Sequence, residues 1–328
     1  MTEDRSSQAE LFGTTAQGEQ VLRVSIAAGN LAANIITWGA GIQDLRLAGH
    51  DRPLTLGYRS FADYEAYVNF FGAVAGRNAN RVRDGRFRLD GVAYEIEPGT
   101  PSRHGLHGGT YGYARRVWKL VERGPDFVTL SLHDPDGTMG FPGTVDATCT
   151  YRIMAPASLV VEMTAATDKP TLCNLAQHAY FNLDDGGETS AGDHWLMIDA
   201  AAYLPTDDEL VPTGVVAPLE GTPYDFRTAR PLCGDDAAHP FRYDTNFCIR
   251  SARGEPKRAA WVQGARSGVE MEVWTTEPGL QFYAGHYIAP GGDSLTGRPY
   301  QPFSGFCLEA QVWPDAPNRP YFPQSVLR

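Results

Sequence analysis

Ten short segments of the chain set apolar or β-branched residues in alternation or in brief runs. They are VLRVSI (21–26), NIITW (34–38), IQDLRL (42–47), GRFRL (85–89), VAYEI (92–96), DFVTLSL (126–132), ATCTYRI (147–153), SLVVEMTA (158–165), WLMID (195–199) and GVEMEVW (268–274). Turn-forming AGN, DGR, LDG, DPDG, DDGG and PGG interrupt them. Period-two spacing places alternate side chains on opposite faces, which is the signature of strands. Gly- and Asp-rich interruptions are the turns that join them. The pattern predicts an all-β fold, a large antiparallel β-sandwich with few short helices. One stretch departs from it. SFADYEAYVNFFG (60–72) offers Ser60 as an N-cap and Asp63 in the third helical position, with Tyr64, Tyr67 and Phe71 along one face. It predicts one short helix inside a long connection. No shift in pattern marks a domain boundary, so residues 1–328 read as a single domain, with 1–19 a flexible N-terminal segment. DDGGETSAGDHW (184–195) reads as the loosest loop.

Composition narrows the partners. The chain carries 35 Gly and 23 Pro without a low-complexity tract, as many turns between short strands require. Its formal net charge is −11, and no basic patch stands out; the RVRDGRFR run is broken by an acid and by apolar residues. Nucleic acid and anionic membranes need clustered cations, so neither is an expected partner. Five cysteines with no C-x-x-C point away from a disulfide framework or zinc knuckle and toward reduced thiols in a cytoplasmic protein. The N-terminus MTEDRSSQAELFG lacks a signal pattern, and no apolar run is long enough to span a bilayer.

The chemistry begins at FCLEAQVWPDAPNRPYFP (306–323), where Glu309 interrupts an apolar run. A carboxylate removed from water costs free energy unless it is paired. If the run is a strand, Cys307, Glu309 and Gln311 share one face; that face suits an open concave site and plain solvent equally. Pro314, Pro317, Pro320 and Pro323 recur every third residue, as in a polyproline II segment that fixes the strand's exit and holds Trp313. In NLAQHAYFNL (174–183), His178 lies among Tyr180, Phe181 and leucines, either as a core histidine or as an acid–base group. HGLHGG (104–109) holds His104 and His107 three apart in a glycine-flanked loop, too few ligands for zinc. Asn80 and Arg81 in GRNANRV, Asp244 in YDTNF and Gln281 in GLQFYAG add donors and acceptors. Such groups beside aromatics suit a sugar, whose vicinal hydroxyls take paired hydrogen bonds and whose C–H faces take rings.

In their order, GAVAGRNANRV, LHGG, NLAQHAYFNL, DTNFCI, GLQFYAG and SGFCLEAQVWPDAPNRPYFP resemble the aldose 1-epimerase (galactose mutarotase) family, as do ITWGAGIQDLRL and LGYRSFADY nearer the start. The resemblance runs from about residue 20 and implies the mutarotase-like supersandwich. It implies Glu309 as catalytic base and His178 as catalytic acid, entering the reaction as imidazolium. Asn80, Arg81, His107, Asp244 and Gln281 become sugar contacts. The implied activity interconverts α and β anomers of free aldoses such as galactose or glucose, with no cofactor and no metal, in a monomer or homodimer. Three departures from the family pattern stand out: His286 and His104 where Asn is common, and Gln301-Pro302-Phe303 where a basic residue is usual. The chain stops at SVLR, where relatives continue into a further strand. Alternatives in other classes are a non-catalytic sugar sensor, an epimerase of phosphorylated hexoses, and a glycoside hydrolase using Glu309 and Asp244.

Overall fold

The computed structural model describes residues 9–99, 102–234 and 242–328. Its sheets are antiparallel throughout. An N-terminal meander joins Ala9–Thr14, Gln20–Ala28, Leu31–Ile36 and Gly41–Leu47. A second four-stranded meander runs Lys119–Arg123, Phe127–Asp134, Val145–Met154 and Ser158–Thr167. A third sheet orders Arg230–Pro231, Trp195–Ile198, Lys257–Gln263 and Glu270–Thr275. A six-stranded sheet carries, in order, Tyr180–Phe181, Phe306–Gln311, Gly279–Tyr283, Asp244–Cys248, Ala202–Tyr203 and Ala217–Pro218. Apolar faces of all four contribute to one core, with Val24, Ile35, Leu130, Tyr151, Ile198, Val262, Phe282 and Leu308 among its members. The ten alternating segments all fall on strands of these sheets or of the Arg86–Leu89/Val92–Glu95 hairpin. Among the described residues no helix is long and apolar enough to cross a membrane.

Four expectations change. Residues 9–14, read as part of a flexible start, pair with Gln20–Val24 as a strand; residues 1–8 lie outside the described part. The helix is confined to Phe61–Ala66. Ser60 caps it by accepting from the Ala62 N–H, but Asp63 does not close a capping box, because its carboxylate accepts from the Asp293 N–H. Tyr67 already has extended dihedrals, so Tyr67 and Phe71 reach the aromatic cluster around Tyr58 from a loop rather than from a helix face. The 184–195 loop is tied down. Asp184 accepts from the backbone N–H groups of Arg266 and Ser267, Asp185 binds Thr189 and the Arg266 guanidinium, and His194 is wholly buried. Prolines 314–323 do not run as one polyproline segment. Asp315 takes a left-handed φ of 58° and Ala316–Asn318 makes a 3-10 turn. Trp313 is held instead by Nε1 donation to the Pro278 carbonyl, outside that segment, and by an edge contact with Phe322.

A buried cation positions the segment that covers the six-stranded sheet. Arg77 is 1% exposed. Its guanidinium donates to Asp134 and to the carbonyls of Pro142 and Gly143, and Arg116 completes the shell of Asp134. Buried charges persist only when paired and hydrogen-bonded in this way. The anchor fixes the end of Ala73–Ala75, which pairs with Ala176–His178, and the start of the run to Arg81.

Candidate active site

Glu309 is not on a solvated face; it is 2% exposed. Gly279–Tyr283 and Phe306–Gln311 lie mid-sheet and are covered on both sides. One face carries Leu280, Phe282, Phe306 and Leu308 into the core. On the other face the cross-strand register sets Asn246, Gln281 and Glu309 in a row. Strand alternation adds Asp244, Cys307 and Gln311 to that face. A polar row is thus sealed beneath the covering segment rather than left to water.

His178 enters from Ala176–His178 and points at that row, with Nε2 3.6 Å from Glu309 Oε2. Its ring lies nearly parallel to Phe70 (5.6 Å, 15°) and to Tyr180 (5.1 Å, 17°). His107 meets it edge to face at 5.2 Å. The LHGG loop explains that placement. His107, Gly108 and Gly109 take φ of 50°, 86° and 93°, three consecutive left-handed residues. Glycine adopts these angles without steric cost. A Cβ on Gly108 would also lie 2.0 Å from the Gly76 carbonyl oxygen. Asn80 is left-handed as well, with φ 61°, and steadies itself by accepting the Arg81 N–H on its own Oδ1.

A hydrogen-bond chain crosses the floor. Arg81 lies 3.5 Å from an Asp244 oxygen, Gln281 donates to the other Asp244 oxygen at 2.6 Å, and Gln311 donates to both Gln281 and Asn246. The seven residues singled out in the sequence therefore converge. Gln311, Asn246, Cys307, Phe70 and Tyr180 join them. Alternation had placed Cys307 and Gln311 on the Glu309 face, and Asn246, two residues after Asp244, was missed although the same alternation could have found it; no local pattern marks Phe70, which reaches the histidines from a loop residue at φ 57°. His104 stands apart, accepting from the Asp84 N–H beside Glu209, so the His104/His107 pair cannot chelate. His286 flanks the site within the electrostatic reach of Asp244, packed against Tyr283, Tyr287 and Phe303.

Burial sets the charge preferences of the pair. Burial pushes the Glu309 carboxyl well above its usual range; Asp244 adds to the rise and Arg81 opposes it. Burial likewise pulls the His178 imidazole down to about 4, against smaller upward pulls from its own backbone carbonyl and Asp244. His107 is also held well below the usual range by burial, His178 and Arg81. Neither ion would be solvated, so burial favours the protonated carboxyl at Glu309 and the neutral imidazole at His178. Glu309 Oε2 has no hydrogen-bond partner, so a binding free energy is left for a ligand to satisfy.

One nitrogen each from His107 and His178 and a Glu309 oxygen lie within 4.8 Å of one another, a spacing a metal ion could span. The donor set argues otherwise. His107 Nδ1 accepts the Asn80 N–H, so the neutral ring turns an N–H, not a lone pair, toward the pocket. A metal-binding histidine instead gives its second N–H to an acceptor.

Fold and site together define a sandwich enzyme that handles protons on a polyhydroxylated ligand. The family model described as aldose 1-epimerase matches residues 23–328. Galactose mutarotase of Rattus norvegicus is 38% identical over 317 residues, covering 95% of this chain and 91% of that protein. Aldose 1-epimerase of Escherichia coli (strain K12) is 34% identical over 302 residues, with 90% and 86% covered. The crystal structure of an aldose epimerase homologue from C. elegans superposes with a TM-score of 0.86 at 28% identity, covering 93% and 94%. The chain belongs to the aldose 1-epimerase family.

Proposed function

We propose that this protein is an aldose 1-epimerase that interconverts the α and β anomers of a free monosaccharide, with Glu309 and His178 sharing one catalytic proton. The observation that carries the assignment is the buried Glu309–His178 contact at 3.6 Å, opened on one side to the Arg81–Asp244–Gln281 chain. Sugar hydroxyls and Arg81 stabilise the Glu309 carboxylate, and its proton crosses to His178 Nε2. The carboxylate then takes the proton of the C1 hydroxyl. The O1 electrons form the carbonyl, the C1–O5 bond breaks, and His178 protonates O5. The open aldehyde turns about C1–C2 and O5 attacks the other face with every transfer reversed. After ring opening the carboxyl is protonated and the imidazole neutral, which is the distribution that burial favours in the resting site. The intermediate is therefore formed in the protein's preferred charge state. Each positioned acid or base contributes about 10²–10⁴-fold in rate. Neutral His107 supplies an N–H for the charge that develops near the ring.

A phosphorylated hexose is disfavoured because the cation on the floor, Arg81, is already faced by Asp244. A glycoside hydrolase is disfavoured because Asp244 is bound by both Gln281 and Arg81 rather than free to act as a second catalytic carboxylate. The test starts from pure α-anomers of galactose, glucose, xylose and arabinose and follows anomeric exchange by polarimetry or NMR. Fast exchange of at least one sugar is expected, falling to near background in Glu309→Gln. Sugar binding without exchange on any of them would establish the sensor instead.

A further inference from the structure

An imidazole that passes protons at one nitrogen needs its other nitrogen held in a defined state. His178 turns Nε2 toward Glu309, and its Nδ1 lies 3.4 Å from the Cys307 sulfur. Cys307 is 0% exposed. Phe70 and Tyr180 cover the two faces of the imidazole with nearly parallel rings. The sheet explains the arrangement. Cys307 is the cross-strand partner of Tyr180 and stands two residues before Glu309 on the same face. One strand therefore carries both the carboxyl that exchanges the proton and the sulfur that meets the far side of the imidazole.

We propose that Cys307 is a positioning residue for the known reaction: its sulfur accepts the His178 Nδ1–H, which fixes the tautomer with a bare Nε2 facing Glu309. Only that tautomer can receive the Glu309 proton. The partner's chemistry matters as much as its place. Sulfur is a weak acceptor, so the Nδ1–H contact orients the ring without placing a charged partner beside it. A methyl group would accept nothing. The thiol stays protonated in its role, because burial and Glu309 keep its ionisation well above the ordinary range. The carbonyl of His178 pulls on the ring in the same sense as the sulfur. The other titratable and charged groups around this imidazole are Glu309, Asp244, Arg81 and His107, none of which bonds residue 307, whereas the Tyr180 hydroxyl bonds the Cys307 sulfur itself and changes partner in any variant there. The proposal rests on the aldose 1-epimerase reading for its kinetic arm only.

Three measurements on the intact protein test it, in Cys307→Ala and Cys307→Ser. In Cys307→Ala, kcat should fall about 10-fold, the worth of one hydrogen bond to a charged group, with KM little changed. The acid limb of the pH–rate profile should move to lower pH, because the imidazolium has lost its acceptor. In Cys307→Ser the hydroxyl also accepts, so kcat should stay within about 3-fold of wild type and the acid limb should not move downward. Long-range 1H–15N spectra of the His178 ring should report Nδ1–H in wild type and Cys307→Ser, and a mixture with Nε2–H in Cys307→Ala. Equal losses in the two variants with an unmoved acid limb would reduce Cys307 to packing and overturn the proposal. So would an unchanged tautomer spectrum in Cys307→Ala, or a wild-type kcat there. If Cys307→Ala does not fold, the Cys307→Ser rate profile and the wild-type spectrum decide, and Nε2–H in the wild type refutes it. A wild type inactive on every aldose would sink the enzymatic reading while the spectra still judged the tautomer.

Discussion

Glu309→Gln should abolish catalysis and stabilise the fold. The side chain is 2% exposed, one of its oxygens has no partner among the described residues, and burial pushes its pKa well above the usual carboxylate range. Loss of the base removes about 10²–10⁴ in rate, equivalent to roughly 3–5 kcal/mol of transition-state stabilisation. The folded protein binds the Glu309 proton more tightly than the unfolded chain does. Its stabilising contribution is therefore complete below the unfolded pKa and is lost as pH rises toward the folded one. A neutral amide escapes that loss. The stability gain in Glu309→Gln should be small near pH 4 and grow toward pH 8. Each pH unit over which only the unfolded chain ionises is worth about 1.4 kcal/mol, which corresponds to a rise in Tm of roughly 2 °C for a chain of this size. Polarimetry on α-galactose gives the rate, and scanning calorimetry at both pH values gives the stability. A variant that keeps fast exchange, or one that melts below wild type at pH 8, would refute the reasoning.

Mutarotation should hold level through neutral pH and fail as pH drops through about 4, where His178 takes a second proton onto the pair; the pH–rate profile measures it. Because the folded His178 pKa is depressed, its contribution to stability should also decline as pH falls from about 6.5 toward 4, which acid titration of Tm would detect. Gly108→Ala should lower kcat/KM at least about 10-fold, because a Cβ strains a left-handed residue and meets the Gly76 carbonyl oxygen, displacing His107; kinetics on the soluble variant checks it. Arg77→Met should destabilise by about 3–5 kcal/mol, since it leaves Asp134 buried and short of its partner, and denaturant unfolding measures it.

The strands with one wet face were legible along the chain, because alternation records burial on one side only. Val145–Met154 is the plain case, with alternate residues buried. The strands that build the site were not, since Gly279–Tyr283 and Phe306–Gln311 are covered on both faces and show no period-two contrast. Motif order was enough to identify the family and the seven polar residues. The left-handed turn at LHGG could be anticipated from its glycines, and the tie on the 184–195 loop could not, because Arg266 is distant in sequence.

What the sequence determined by itself is the all-β class, the kinds of group available and their alternation along each strand, since these follow from local sterics and chemistry. Only the tertiary structure decided that Glu309 is sealed from water, that burial raises its affinity for a proton while lowering that of His178, and that Phe70 and Cys307 lie against the imidazole. The physical reason is that desolvation and cross-strand contact depend on what lies above a residue, not on what lies beside it in the chain.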